Sequence, residues 1–244
     1  MSEHQTALPP ILLIKNVSNT YTSRKLGIFG KKEEKPVLDN VSLEINRGEI
    51  FGLAGKSGTG KTTLGRCILG LLDYTGEIYI DGIKENSFRR NKPERALKLG
   101  AVFQDPSGAL NPVKRTGWLL EEPLRIHNTG TKKEREMQAD NMLDLIGLDS
   151  SYKKRFPSEL SSGQKQRVSI GCALMLRPSL LIADEPVSSL DVSTGAQIIN
   201  LFGELNKTLG LSLLFISHNI SLVNYLCDRV AFMENGKITG YAVF

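Results

Sequence analysis

The stretch Gly55-Lys-Ser-Gly-Thr-Gly-Lys-Thr62 decides the fold class of this chain. It fits the pattern G-x-x-x-x-G-K-[ST], and it has the neighbours that the pattern requires. The apolar run Ile50–Ala54 before it predicts a buried strand, and Thr63–Leu72 after it is patterned as a helix. A strand, a glycine-rich turn and a helix in this order predict a phosphate loop in an α/β core. The alternative is a glycine-rich turn that matches by chance, which these neighbours disfavour.

The residue types in this loop are those that a phosphate group needs. Backbone N–H groups freed by the glycines and by the start of the helix converge on phosphate oxygens. The Lys61 ammonium supplies a positive charge, and the Thr62 hydroxyl is suited to Mg²⁺. We therefore expect a nucleotide at the loop residues Gly55, Lys56, Ser57, Gly58, Thr59, Gly60, Lys61, Thr62 and Thr63.

Two adjacent carboxylates, Asp184 and Glu185, follow a second apolar run, Leu180–Ala183. The end of a strand in an α/β sheet is where side chains are presented to a ligand. Asp184 is the expected support for Mg²⁺, and Glu185 is expected to orient or deprotonate an attacking water. The alternative is a solvated acidic turn, which the phosphate loop in the same chain disfavours.

Further apolar runs extend the alternation of strands and helices. Ile11–Val17 and Val41–Ile45 predict short strands, and the polar stretch Ser23–Pro36 between them predicts an exposed loop. The run Leu213–Ile216 is apolar throughout, like the two runs that precede the loop and the carboxylates. Strands of this kind are typical of a parallel sheet whose faces are both covered by helices.

A helical pattern replaces this alternation between residues 105 and 177. Apolar residues recur there at the i, i+3, i+4, i+7 spacing of a helix face. The clearest example consists of Ala139, Met142, Leu143 and Ile146. The sequence therefore predicts an inserted helical subdomain.

The composition of the chain limits the classes of protein to which it can belong. The 244 residues are 40% hydrophobic, and 31 Lys and Arg against 26 Asp and Glu give a formal charge of +5, too small an excess to indicate nucleic-acid binding. The acidic start Met1–Thr6 is unlike a secretory signal, and no apolar run approaches the roughly 18 residues of a spanning helix. Cys67, Cys172 and Cys227 are far apart in apolar stretches, which indicates buried thiols and a reducing compartment.

A third motif narrows the class of nucleotide-binding protein. Leu160-Ser-Ser-Gly-Gln164 resembles the signature sequence of ATP-binding-cassette (ABC) ATPases. The bland alternative is a serine-rich helix cap, and both interpretations can hold because a capped helix start also attracts an anion. The resemblance implies that Ser161, Ser162, Gly163 and Gln164 face the ATP of a second cassette, and hence a dimer.

The other elements of that family appear in order along essentially the whole chain. Gln104 resembles the glutamine that touches Mg²⁺ and water, and Asp191 lies in a stretch similar to the loop between subunits. His218 resembles the histidine that contacts the γ-phosphate. Tyr21 stands where an aromatic residue stacks on adenine, although an aromatic residue on an edge strand is the alternative.

Several stretches are similar to one branch of the family, the oligopeptide, dipeptide and nickel importers. They are Phe103–Pro112, Glu121–Leu124, Arg155–Leu160, Glu185–Ser193 and Leu214–His218. The stretch Lys25–Lys31 resembles the second, F-type ATP-binding subunit, so a sister ATPase is the expected partner. The resemblance also implies two permease subunits, an extracytoplasmic solute-binding protein and a place on the cytoplasmic face of the membrane, without nucleic acid. A cassette subunit of a soluble complex, such as carbon-phosphorus lyase, is the alternative.

The resemblance implies a P-loop NTPase fold with a doubly wound, mainly parallel sheet, an antiparallel N-terminal β subdomain and an inserted helical subdomain. We expect one cassette domain over residues 8–244, with its core at about 8–104 and 178–244 and the helical part at about 105–177. Two residues depart from the family pattern: Ser162 replaces a usual Gly, and Asn219 replaces a common Asp. The longer cysteine-bearing tail of many members is not seen after Phe244, so no metal cluster is expected there.

Overall fold

The structure is a computed structural model that describes residues 9–24, 32–85 and 97–244. The described residues form two sheets. The antiparallel sheet has the order β2-β1-β4-β5 and contains β1 (Leu12–Arg24), β2 (Lys32–Ile45), β4 (Thr75–Ile80) and β5 (Ile83–Lys84). The larger sheet has the order β10-β9-β3-β8-β7-β6 and contains β3 (Ile50–Ala54), β6 (Leu99–Val102), β7 (Leu180–Asp184), β8 (Ser212–Ser217), β9 (Arg229–Glu234) and β10 (Lys237–Val243).

The larger sheet is parallel except where β10 pairs antiparallel with β9. Every residue of β3, β7 and β8 is buried, as the uniformly apolar runs predicted. Burial on both faces is the condition that favours a parallel sheet between helices. The predicted α/β class with an antiparallel N-terminal sheet is confirmed.

The helices that the structure describes cover the sheet and fill the segment between β6 and β7. They are α1 (Lys61–Ile68), α2 (Pro106–Ala109), α3 (Thr116–Ile126), α4 (Lys132–Leu145), α5 (Ser162–Leu174), α6 (Val192–Leu209) and α7 (Ile220–Leu226). Two 3-10 turns, Ser150–Lys154 and Pro157–Glu159, precede α5. Ala139, Met142, Leu143 and Ile146 are buried, so the helical face read from the sequence packs into the core.

Two apolar clusters lie on opposite faces of the larger sheet. In one cluster, residues of α1 such as Leu64 and Ile68 pack between the antiparallel sheet and residues such as Leu53 of β3. The other cluster joins the sheet to the helices that follow β6 and to α6 and α7. Helices on both faces make the sheet doubly wound.

Two local predictions were wrong at their boundaries. The expected loop Ser23–Pro36 is shorter, because β1 continues to Arg24 and β2 begins at Lys32, with Tyr21 opposite Lys35. Backbone hydrogen bonds between paired strands need no apolar side chains, so a polar composition does not end a hairpin. Helix α1 begins at Lys61 and ends at Ile68, shortly before Gly70 adopts a positive φ of 73°. The stretch Lys25–Lys31, which carried the resemblance to the second ATPase subunit, lies outside the described residues.

The three cysteines have the apolar surroundings that the sequence indicated. The side chains of Cys67, Cys172 and Cys227 pack among apolar residues. Burial raises the pKa of Cys172 and of Cys227 to about 12, so both thiols stay protonated at neutral pH. None of the helices within the described ranges combines the length and the apolar character that crossing a membrane requires.

Candidate nucleotide-binding site

The phosphate loop connects β3 to α1, and its glycines are required by its shape. Gly60 has a φ of 107°, a left-handed conformation that side chains rarely adopt. A Cβ atom at Gly55 would lie 2.3 Å from the carbonyl oxygen of Met233 in β9, which is closer than atoms can approach. The loop therefore packs directly against the sheet and presents its backbone to the cleft above the strand ends.

Lys61 is folded back over the loop that precedes it. Its Nζ donates hydrogen bonds to the carbonyl oxygens of Gly55 at 2.8 Å and Lys56 at 2.9 Å. Burial lowers the pKa of this ammonium, while the charges of Glu185 and Asp184 act in the opposite direction. The cation is thus fixed at the centre of the loop, where a phosphate group would lie.

Thr62 and Asp184 meet at the ends of α1 and β7. The Thr62 hydroxyl donates to Oδ1 of Asp184 at 3.1 Å. Burial raises the pKa of Asp184, because desolvation penalises its charged form, and the hydrogen bond from Thr62 acts in the opposite direction. A hydroxyl and a carboxylate oxygen are hard ligands that suit Mg²⁺, which usually completes its shell with phosphate oxygens and water. The described residues contain no cluster of three or more acidic, His or Cys side chains that could hold a metal ion.

Glu185 has an unusual backbone conformation. Its φ of 51° is in the left-handed region, which costs of the order of 1–3 kcal/mol for a residue other than glycine. Its N–H donates to the carbonyl oxygen of Ile216 in β8 at 3.0 Å, which ties the strained residue to the sheet. Oε1 of Glu185 accepts the backbone N–H of His218 at 3.0 Å and lies 2.8 Å from Nδ1 of the same residue. The carboxylate is therefore held from two directions.

These groups converge on one cleft of about 750 Å³. The cleft is lined by Gln104, Glu185, His218 and the loop residues except Thr59, so the structure brings most of the predicted site residues together. Asp184 is not among the lining residues and adjoins the cleft through its bond with Thr62. Gln104 is exposed just beyond β6, where its carbonyl oxygen accepts the Ser189 hydroxyl at 3.4 Å. Tyr21 is half exposed on β1 and is not among the residues that line this cleft.

Sequence reasoning missed several residues that line the same cleft: Val37, Ser188, Ile220 and Phe232. Val37 and Phe232 belong to β2 and β9, where an apolar residue reads as ordinary core. No local sequence motif identifies these two residues, because they reach the cleft only through the way the two sheets pack together. Ser188 could have been suspected from the sequence, because it lies three residues after Glu185. In the structure its hydroxyl donates to the Glu185 carbonyl oxygen at 3.0 Å.

The signature residues lie elsewhere. Ser161 caps α5, and its hydroxyl accepts the Gln164 N–H at 3.3 Å, so the predicted helix cap is present. Ser161, Gly163 and Gln164 border a separate cleft of about 320 Å³ that shares no lining residue with the nucleotide cleft. Asp191 caps α6, where Oδ1 accepts the Thr194 N–H at 2.9 Å and Oδ2 accepts its hydroxyl at 2.7 Å.

Comparison with known proteins places this arrangement in a family. A family model described as ABC transporter matches residues 38–188. A Brucella abortus (strain 2308) protein named "Putative peptide import ATP-binding protein" is 46% identical over 204 residues, which cover 82% of this chain and 61% of the relative. A Brucella ovis protein of the same name is 41% identical over 232 residues, covering 94% of this chain and 71% of the relative. This chain thus spans less than two thirds of the first relative.

Solved structures agree with the sequence relatives. A dimeric ATP-binding cassette in a post-hydrolysis state, bound to ADP and Pi, has a TM-score of 0.81 at 32% identity and covers 95% of this chain and 98% of its own. CbiO1 from Clostridium perfringens, part of an ABC transporter complex, has a TM-score of 0.83 at 28% identity and covers 96% and 89%. With its phosphate loop, its Thr62–Asp184 pair and its signature turn, this chain belongs to the ABC transporter family and carries that family's ATP-binding cassette.

Proposed function

We propose that this chain binds and hydrolyses ATP as the motor subunit of an importer whose solute is a peptide. The observation that carries the proposal is the position of Glu185, which a strained backbone and His218 hold in the same cleft as Lys61 and Thr62, the residue that bonds Asp184. The names of the relatives, which refer to peptide import, support the solute class. A nickel or metal chelate importer is the next candidate, since the stretches quoted above are similar to that branch too.

Different residues in and beside the cleft carry out different parts of phosphoryl transfer. The loop N–H groups and Lys61 hold the β- and γ-phosphates. Thr62, Asp184 and Gln104 hold Mg²⁺, which when bound neutralises phosphate charge. Glu185 orients the attacking water and accepts its proton, and His218 fixes the Glu185 carboxylate beside the γ-phosphate.

A second cassette completes the proposed site. The signature residues Ser161, Ser162, Gly163 and Gln164 form or adjoin a cleft apart from the nucleotide cleft, so they serve the ATP of a partner. Asp191 lies at the start of α6 on the contact between cassettes, and Tyr21 stacks on adenine from the hairpin of β1 and β2. The dimeric state of a similar cassette supports this assembly.

The proposed complex contains a sister ATPase, two transmembrane permease subunits and an extracytoplasmic solute-binding protein. The chain acts as one cassette over residues 8–244, with its helical subdomain at about 105–177, at the cytoplasmic face of the membrane. The permease subunits attach it to the membrane.

Affinity purification of the tagged chain from detergent-solubilised membranes tests this proposal. We expect integral membrane subunits to co-purify and the complex to hydrolyse ATP faster when peptide-loaded binding protein is added. Recovery of soluble enzymes in place of membrane subunits would support a cassette in a soluble complex. A complex that does not hydrolyse ATP would contradict the proposal.

A further inference from the structure

The side-chain amide of Gln164 is bonded at both ends inside its own subunit. Its Oε1 accepts the N–H of Ser161 at 2.9 Å, and its Nε2 lies 2.9 Å from the phenolic oxygen of Tyr152. Because a backbone N–H can only donate, Oε1 must face Ser161 and Nε2 must face Tyr152. The phenolic oxygen is therefore the acceptor of this bond, and it holds the Nε2 end of the Gln164 amide.

Tyr152 lies in a turn that is also tied to α3 and α4. Its ring packs against the main core, and the Arg155 guanidinium lies 4.1 Å from the ring centroid. The neighbouring Lys153 pairs with Asp140 of α4 at 2.8 Å. The Arg155 carbonyl oxygen accepts both the N–H of Thr116 at 2.9 Å and its hydroxyl at 3.1 Å, which ties the segment to α3. The turn that carries Tyr152 is therefore tied to α3, α4 and the core, and its phenol bonds the start of α5 from this anchored position.

The same turn has a second close neighbour in α6. A Cβ atom at Gly163 would lie 2.3 Å from Cγ2 of Thr194, so the backbone of α5 touches α6 with no spare room. Tyr152, Gly163, Gln164 and Thr194 all border the signature cleft. The first turn of α5 is thus oriented by a hydrogen bond to Tyr152 and by a steric contact with Thr194.

The orientation of this turn decides where its remaining donors point. The cap uses the N–H groups of Ser161 and Gln164. Within the described chain, the cap leaves the N–H groups of Ser162 and Gly163 without an acceptor, as expected at a helix start. We propose that Tyr152 is a positioning residue that, through Gln164, aims these two N–H groups at the phosphate of a nucleotide on the partner cassette. The identity of that ligand rests on the proposed function.

Hydrogen exchange in the isolated subunit tests the positioning role without any activity. Tyr152→Phe keeps the ring and its contact with Arg155 but removes the acceptor. We expect the amides of Ser161 and Gln164 to exchange about fivefold faster, the factor for the loss of one hydrogen bond of ordinary strength. The matched control is Tyr241→Phe, which loses a 2.9 Å bond from its hydroxyl to the Ser42 carbonyl oxygen and should leave both amides unchanged. Equal exchange in the wild type and Tyr152→Phe would overturn the inference.

The ATP dependence of the purified transporter complex tests the consequence for the partner's nucleotide. We expect Tyr152→Phe to raise the KM for ATP about fivefold, with kcat changed less, because the donors are misaligned before chemistry begins. Binding of a fluorescent ATP analogue to the isolated chain should not change, since Tyr152 does not line the nucleotide cleft.

A double-mutant cycle separates positioning through Gln164 from a general packing effect. In a Gln164→Met background, Tyr152→Phe should add no further change in KM. If the two effects add in full, the phenol acts through another group and the inference is wrong. A wild-type complex without ATPase activity would contradict the proposed function alone, because the exchange experiment still decides the role of Tyr152.

Discussion

Oε1 of Glu185 lies 2.8 Å from Nδ1 of His218 and 3.0 Å from the backbone nitrogen of the same residue. A single carboxylate oxygen is thus held by the end of β8, while the Glu185 backbone is bonded to Ile216 in that strand. The side chain of His218 is mostly exposed, whereas that of Glu185 is largely covered. The pair therefore forms part of the wall of the nucleotide cleft.

Glu185→Gln should preserve ATP binding and slow hydrolysis. The amide keeps the shape of the side chain and can still contact His218, but it cannot accept the proton of the attacking water. We expect turnover of the transporter complex to fall by roughly 10²–10⁴, the usual contribution of a general base. Glu204→Gln, an exposed change on α6, serves as the matched control. Turnover of Glu185→Gln within a factor of about two of the control would show that the water is activated elsewhere.

Asp184→Asn should stabilise the nucleotide-free protein at neutral pH. Because burial raises the folded-state pKa of Asp184, its charged form opposes folding, and this penalty disappears as the pH falls below that folded pKa. We expect Tm at pH 7.5 to rise by about 2–4 °C, which corresponds to about 1 kcal/mol in a domain of this size.

The stability gain of Asp184→Asn should shrink as the pH is lowered, because the wild-type carboxyl is then protonated. The same variant should lose the Mg²⁺ dependence of ATP binding, since the amide carries no charge for the cation. Asp144→Asn, exposed on α4, is the control and should change neither property. A lower Tm for Asp184→Asn at pH 7.5 would mean that its hydrogen bond with Thr62 outweighs the cost of burying the charge.

Gly163→Ala should destabilise the contact between α5 and α6. The added Cβ would lie 2.3 Å from Cγ2 of Thr194, so one helix must move. Overpacking of this kind costs about 1–3 kcal/mol, which urea unfolding would measure. Thr194→Ser removes the clashing methyl and keeps the hydroxyl that bonds Asp191, so the double variant should regain most of the loss. If the double variant remained as unstable as Gly163→Ala, the loss of stability would not come from the contact with Thr194.

Ser162→Gly should raise turnover at the partner's ATP site without altering nucleotide affinity of the isolated subunit. Ser162 is exposed in the first turn of α5, at a position whose N–H faces the partner in the proposed dimer. Removing the side chain lets the backbone approach a phosphate more closely. The measurement is ATPase activity of complexes with and without a disabled catalytic glutamate in the sister subunit. An equal change in both backgrounds, or a change in neither, would contradict this asymmetry.

The phosphate loop, the buried strands and the cap of α5 could be predicted from the sequence because each depends on residues that are close together in the chain. The phosphate loop needs a strand, positive-φ glycines and a helix within a few residues, and Gly60 has the φ of 107° that such a turn requires. Runs such as Leu180–Ala183 are apolar throughout, which indicated burial on both faces before any partner strand was known. The Ser161 cap of α5 followed from the same kind of short-range chemistry.

Only the tertiary structure decided which distant groups meet. Thr62 and Asp184 are 122 residues apart, and they touch because β3, β8 and β7 are neighbours in the sheet. The left-handed Glu185 and the contact between Gly163 and Thr194 also depend on how whole elements pack, which no local pattern records. Tyr152 belongs to no sequence motif, yet its phenolic oxygen accepts a hydrogen bond from the Gln164 amide. Such contacts depend on strand order, helix direction and close packing, because the free energy that fixes them comes from groups far apart in the chain.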